Sequence, residues 1–268
     1  MHTLYTAAVA FLVARIPSPI PDAILAEYLG RPDEAADGAN LSELFRRILL
    51  SAQNANMKAG VIGGSIGGFN NLGAALFDFD PVRVGKTFGG EPERLLNHIR
   101  KIANPRGKIR TESLSIWPKY CRTILSASTF LAQFRDGHDF RAWANHLYSD
   151  ERTMAALPLI LSEEIDGIGY ALACDFLKEL GYFNYGKPDV HVREIFSGLG
   201  LCPVSASPYQ IQRVITRVAG ATGASPYDVD KVFWLIGSGK FYKHPQLGKD
   251  GRIGRMKKEF LSMSRGGG

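Results

Sequence analysis

Apolar residues recur every three or four positions through most of the chain, the spacing of one buried helix face. The stretch LYTAAVAFLVARI is apolar almost all round, which predicts a buried helix. PDAILAEYLG follows it across the Pro-rich PSPIP, and Pro21 suits the first turn of a second helix. In NLSELFRRILLSAQNAN, Leu44, Ile48 and Leu49 share a face. Asn40 can cap that helix, with Glu43 three residues on as in a capping box. Helical patterns return in PERLLNHIRKIA, in SLSIWPKYCRTILSASTFLAQF and in DFRAWANHLYSDERTMAALPLILSE. Further on, SPYQIQRVITRVAGATG and SPYDVDKVFWLIGSGKFY each place Ser-Pro where a helix should begin. No strand pattern and no internal repeat stands out. The expected class is all-α.

Between these patterns lie three polar or flexible stretches. Residues 59–75, AGVIGGSIGGFNNLGAA, are rich in Gly and Ala and suit a wide turn or a close backbone approach. The loop NPRGKIRTES carries Arg106, Lys108 and Arg110. The tail from Lys240 to Arg265 has eight Lys or Arg against Asp250 and Glu259, and reads either as a track along a phosphate backbone or as a disordered, solubilising end.

Charge narrows the class of partner. Lys and Arg number 32 against 26 Asp and Glu, a formal +6 and a pI near 9.2, which favours a polyanion. The 268 residues can bury a proper core in one large domain or two smaller ones. Cys121, Cys174 and Cys202 are scattered, without CxxC spacing. That argues against a metal site, an iron–sulfur cluster or a disulfide framework, and fits a reducing cytoplasm. The opening apolar run is too short to span a bilayer and lacks a basic leader.

The richest stretch is LSEEIDGIGYALACDFLKELGYFNYGKPDVHVREIF, residues 161–196. IDGIG followed by YALACDFLKEL predicts a helix, a tight turn through Gly167 and Gly169, and a second helix. Glycines there leave the amides of the second helix uncovered, and amides at a helix start attract a phosphate. Asp189 follows Gly169 by twenty residues and opens another helix in PDVHVREIF. Read alone, the glycines fit a plain turn between packed helices, and the acid fits a helix N-cap.

The combination resembles the helix-hairpin-helix DNA glycosylase superfamily, which includes endonuclease III, the adenine-specific mismatch glycosylase and 8-oxoguanine glycosylase. GIGYALA and PDVHV stand where that family has its hairpin and its essential aspartate, and LLSAQNAN resembles its LLSAQ segment. The resemblance implies two helical lobes with DNA in the cleft between them. Residues 36–182 would form one lobe, and 1–35 with 183–268 the other. It implies Asp189 as the catalytic acid, kept ionised by the dipole and amides of the helix it starts. Gly167 and Gly169 would hold a DNA phosphate, and Gln53 would lie near the point where the base leaves the stack. Lys108, Arg110 and Lys187 are the expected backbone contacts. The partner would be double-stranded DNA bearing a damaged or modified base, bound by a monomer. No cofactor is implied beyond a monovalent cation at the hairpin.

Departures from the family pattern carry information. Bifunctional members have a lysine two residues after the second glycine, where this chain has Ala171 after Tyr170. An alanine cannot form an imine, so a monofunctional enzyme leaving an abasic site is expected. Lys178 and Lys187 are the amines close by. Asp166 stands where many relatives have proline, and is expected to point away as a helix cap. The four-cysteine cluster of endonuclease III is absent.

Asn56, Tyr170 and Tyr185, with Gln53, are candidates to line the base pocket. The small residues after Gln53 would leave room for a bulky base, from an oxidised or alkylated purine to a hypermodified cytosine of phage DNA such as glucosylated hydroxymethylcytosine. The rival reading is a helix-hairpin-helix module that grips DNA without chemistry.

Overall fold

The computed structural model describes residues 2–30, 40–53, 61–254 and 256–266. Among the described residues it is all-helical apart from isolated bridges at Lys240–Arg252 and Lys249–Arg252. It divides into two compact units, residues 33–176 and residues 1–32 with 177–268. The division expected after residue 182 falls inside a helix, between residues 176 and 177.

The unit of residues 33–176 is built around α7 (Ile116–Leu131). Its neighbours are α3 (Leu41–Ala52), α5 (Pro81–Phe88), α6 (Pro92–Ala103) and α9 (Ala156–Glu164). α7 occupies the centre because it is apolar on nearly every side: Trp117, Tyr120, Ile124, Ala127, Phe130 and Leu131 are all buried. The Tyr120 hydroxyl donates to the Leu49 carbonyl of α3 at 2.8 Å, and Ser128 to the Pro81 carbonyl of α5 at 2.7 Å. α8 (Gly137–Tyr148) packs on α9. The Gly-rich stretch expected as a wide turn contains α4 (Val61–Ser65) and a 3-10 helix at Phe69–Ala75.

The start of α3 differs from the capping box read in the sequence. Asn40 does accept from Ser42 N–H at 2.8 Å. Glu43, however, turns outward to Arg46 at 2.7 Å and Arg47 at 3.0 Å. Two guanidiniums in reach attract the carboxylate more strongly than one capping amide, and they hold its pKa below the usual glutamate value.

The second unit is built around α13 (Pro226–Ser238). Packed on it are α1 (His2–Arg15), α2 (Pro21–Leu29), α11 (Val190–Gly198), α12 (Pro208–Thr222) and α14 (Met256–Gly266). Both Ser-Pro starts form full capping boxes, Ser207 with Gln210 and Ser225 with Asp228. One helix, α10 (Tyr170–Glu179), includes the division between the units at residues 176 and 177.

The basic tail is not a disordered end: it carries the helix α14. Met256 and Phe260 of α14 are buried, and the Phe260 ring lies 5.3 Å from Phe11 and 6.0 Å from Phe233. Lys257 pairs with Glu194, and Arg15 with Glu259. Apolar residues four apart give this segment one face to bury, which outweighs its composition. Ser225→Ala removes one half of a capping box from the central helix, and is expected to lower the free energy of urea unfolding by about 1 kcal/mol.

Candidate active site

The hairpin begins where α9 ends. Ile168 N–H donates to Ile165 O at 3.0 Å and closes the turn. Its two glycines are there for different reasons. Gly167 sits at φ +81°, and a Cβ on it would lie 2.6 Å from Thr123 Oγ1 of α7. Both the backbone angle and the close approach exclude a side chain. Gly169 has no such internal cause: a Cβ there would meet nothing within 4 Å. Its bareness leaves open space over the start of α10. Among the described residues, no acceptor is found for the amides of Gly169 and Ala171, while Gly169 O takes bonds from Leu172 at 2.9 Å and Ala173 at 3.0 Å. Uncovered amides at a helix start form an anion-binding surface.

Asp166 is not a helix cap. α9 ends at Glu164, and the Asp166 carboxylate accepts from Arg122 Nε at 3.1 Å. Arg122 also donates to Ser113 O at 2.9 Å. The guanidinium thus compensates the charge of the acid that directly precedes Gly167.

In the other unit Asp189 is the N-cap of α11, with φ −86° and ψ −177°. Its Oδ1 accepts from His191 N–H at 2.8 Å and from Val192 N–H at 3.1 Å. Oδ2 has no hydrogen bond among the described residues. One oxygen is an anchor and the other is available.

The cap does not keep the acid at a low pKa, as the sequence had suggested. Burial raises it most and the Asp230 carboxylate raises it further, while the Val192 amide, His191 and Lys187 lower it; the net direction is up. Desolvation and a like charge outweigh the amide donors here.

Several other expected positions are elsewhere engaged. Gln53 is 6% exposed and its Oε1 accepts from Gly63 N–H at 3.3 Å, so it holds the Gly-rich stretch rather than projecting outward. Tyr185 is 1% exposed. Tyr170, at the first position of α10, is half-buried, as is Lys187. Asn56 lies outside the described residues.

Lys108 and Arg110 are exposed and, with Arg106, line a concavity of about 630 Å³ floored by Trp117 and Ile109. A second concavity of about 490 Å³ carries Arg100 and Lys101. These two cations were missed in the sequence, although its signal is plain: six basic residues and no acid from Arg94 to Arg110. Also missed were Asp230 and Gln212, which lie against the backbone of residues 184–186, just before Asp189. Lys178 Nζ is 2.5 Å from Asp230 Oδ2, with both side chains buried. Among the described residues no group of three side chains could hold a metal, and no helix is long and apolar enough to cross a membrane.

No protein-family model matches the sequence, and no curated protein sequence does. Among solved structures the chain is similar to an 8-oxoguanine glycosylase/lyase of Methanocaldococcus jannaschii, solved with a 15mer DNA containing 8-oxoguanine. The match covers 87% of this chain and 98% of that one, with a TM-score of 0.54 and 16% identity. At that identity the likeness is one of fold: this chain shares the all-helical architecture of that glycosylase/lyase.

Two outcomes are expected for stability. Gly167→Ala should cost roughly 1–3 kcal/mol in denaturant unfolding, because it strains φ and meets Thr123, whereas Gly169→Ala should leave stability unchanged. Asp189→Asn should raise the melting temperature at pH 7, since the amide still caps α11 but carries no buried charge. A carboxyl whose folded pKa is raised loses stability as pH rises through that pKa. The gain should therefore vanish in acid, where Asp189 is protonated in both folded and unfolded chains.

Proposed function

We propose that the protein is a DNA glycosylase that hydrolyses the bond between an extruded base and its deoxyribose, with Asp189 as the catalytic acid residue in its carboxylate form. The observation that carries this reading is the divided carboxylate at the start of α11: Oδ1 is fixed by two amides and Oδ2 is left for the reacting centre. As the base departs, the sugar gains oxocarbenium-like charge. A fixed carboxylate stabilises that charge, and it can orient or deprotonate the attacking water. The fold shared with a glycosylase/lyase that was solved on 8-oxoguanine DNA supports DNA as the substrate. So do the uncovered amides at Gly169 and Ala171, suited to a backbone phosphate, and the exposed cations Arg106, Lys108 and Arg110.

The reaction is read as monofunctional. Ala171 occupies the hairpin position where bifunctional relatives place a nucleophilic lysine. Lys178, further along α10, is buried and its amine is held by Asp230. An ammonium held by a carboxylate is not a nucleophile, because the lone pair is protonated. Water is then the nucleophile and the product an abasic site.

Asp189→Asn tests the reading against a module that only binds. Base release under single-turnover conditions should fall by at least about 100-fold, the scale of a lost charge-stabilising group, while DNA affinity stays within a factor of about three. Equal loss of both would favour the binding module. Borohydride treatment of enzyme with substrate DNA should trap no covalent adduct; an adduct would overturn the monofunctional reading. Gly169→Ala, which leaves the fold alone, should weaken DNA binding.

A further inference from the structure

The segment that delivers Asp189, residues 183–189, is laid against α12 and α13 by contacts that the reaction itself does not require. Gln212 of α12 is 5% exposed and spans two backbone groups of that segment. Its Oε1 accepts from Gly186 N–H at 3.2 Å and its Nε2 donates to Asn184 O at 3.1 Å. Tyr227 N–H of α13 donates to Phe183 O at 3.1 Å. Gly186 itself lies flat on Asp230: a Cβ there would come within 2.8 Å of Asp230 Cβ and 2.9 Å of Pro226 O. Its φ is not positive, so closeness alone demands glycine.

Asp230 is 1% exposed, with Oδ2 on Lys178 and Oδ1 buried without a hydrogen-bond partner among the described residues. A buried ion pair is a poor way to hold helices together, because desolvation offsets most of the attraction. A buried acceptor left unsatisfied is costlier still. Stability therefore gives no account of this arrangement, whereas its position beside the segment carrying Asp189 does.

We propose that Asp230, clamped by Lys178, is a positioning residue for Asp189: it seats the segment that bears the acid and sets a second buried negative charge next to it. This rests on the reading of Asp189 as the catalytic acid. The charged groups that bear on Asp189 are Asp230 from α13, Lys187 from its own segment and His191 from its own helix. Lys231 and Glu179, paired with each other at 3.2 Å, stand by the Lys178 end of the clamp. The second anion makes Asp189 a stronger base, better able to take a proton from water. Activity then rises with pH as Asp189 ionises, at a higher pH than an ordinary aspartate would give.

The test uses the full chain labelled with ¹³C at aspartate carboxyls, with the Asp189 resonance identified by its loss in Asp189→Asn. In the unaltered protein Asp189 should titrate above the ordinary aspartate range. In the double variant Asp230→Asn with Lys178→Met, which removes both charges of the clamp together, the midpoint should shift down. The acid limb of the base-release profile should move with it, while DNA affinity holds. A merely structural role would lower the rate at every pH and leave the limb in place. An unchanged midpoint in the double variant overturns the proposal. Should that variant not fold, an ordinary or lowered Asp189 midpoint in the unaltered protein overturns it equally. The titration needs no substrate, so it stands apart from the glycosylase reading, which fails instead if the unaltered protein releases no base.

Discussion

A carboxylate that must meet a developing cation has to be held still, kept from its solvent and yet left partly unbonded. These demands conflict, because hydrogen bonds that fix an acid also consume the lone pairs it would use. The start of α11 divides the work between two oxygens. Oδ1 of Asp189 takes the amides of His191 and Val192, as a helix cap does, and Oδ2 remains. The N-cap and the catalytic readings of this residue are thus one arrangement. Before it in the chain, Gln212 ties down the backbone, and the bare Gly186 lets that backbone lie against Asp230.

The two hairpin glycines show the same economy from the other side. Gly167 is demanded by its left-handed backbone and by Thr123. Gly169 is demanded by nothing within the chain. Under the proposed function, a glycine without an internal cause at the start of a helix with uncovered amides is where a backbone phosphate would approach.

Much of this was legible in the sequence, and what was not has a common physical reason. Helix starts are local events, so Asn40, Ser207, Ser225 and Asp189 could each be read as a cap from a few neighbours. The partner of a side chain is not local. Glu43 could have closed a capping box but met two arginines instead. Gln53 sits in a motif read for its place near an extruded base, and its contact with the Gly63 amide, ten residues on, could not be read there. Asp230 gives no local signal, because the lysine that pairs with it lies 52 residues away. The order of the tail was hidden for a different cause: its net charge masked the apolar face formed by Met256 and Phe260.

The central claim, that the acid at the start of α11 cuts a base from DNA, is tested most directly by mass spectrometry of bases set free from a panel of duplexes. The panel would carry oxidised and alkylated purines, 8-oxoguanine among them, and hypermodified pyrimidines. The account predicts at least one free base, with the strand left intact at an abasic site, and none when Asp189 is asparagine. Silence across the whole panel, or release that survives the loss of that carboxylate, would contradict it.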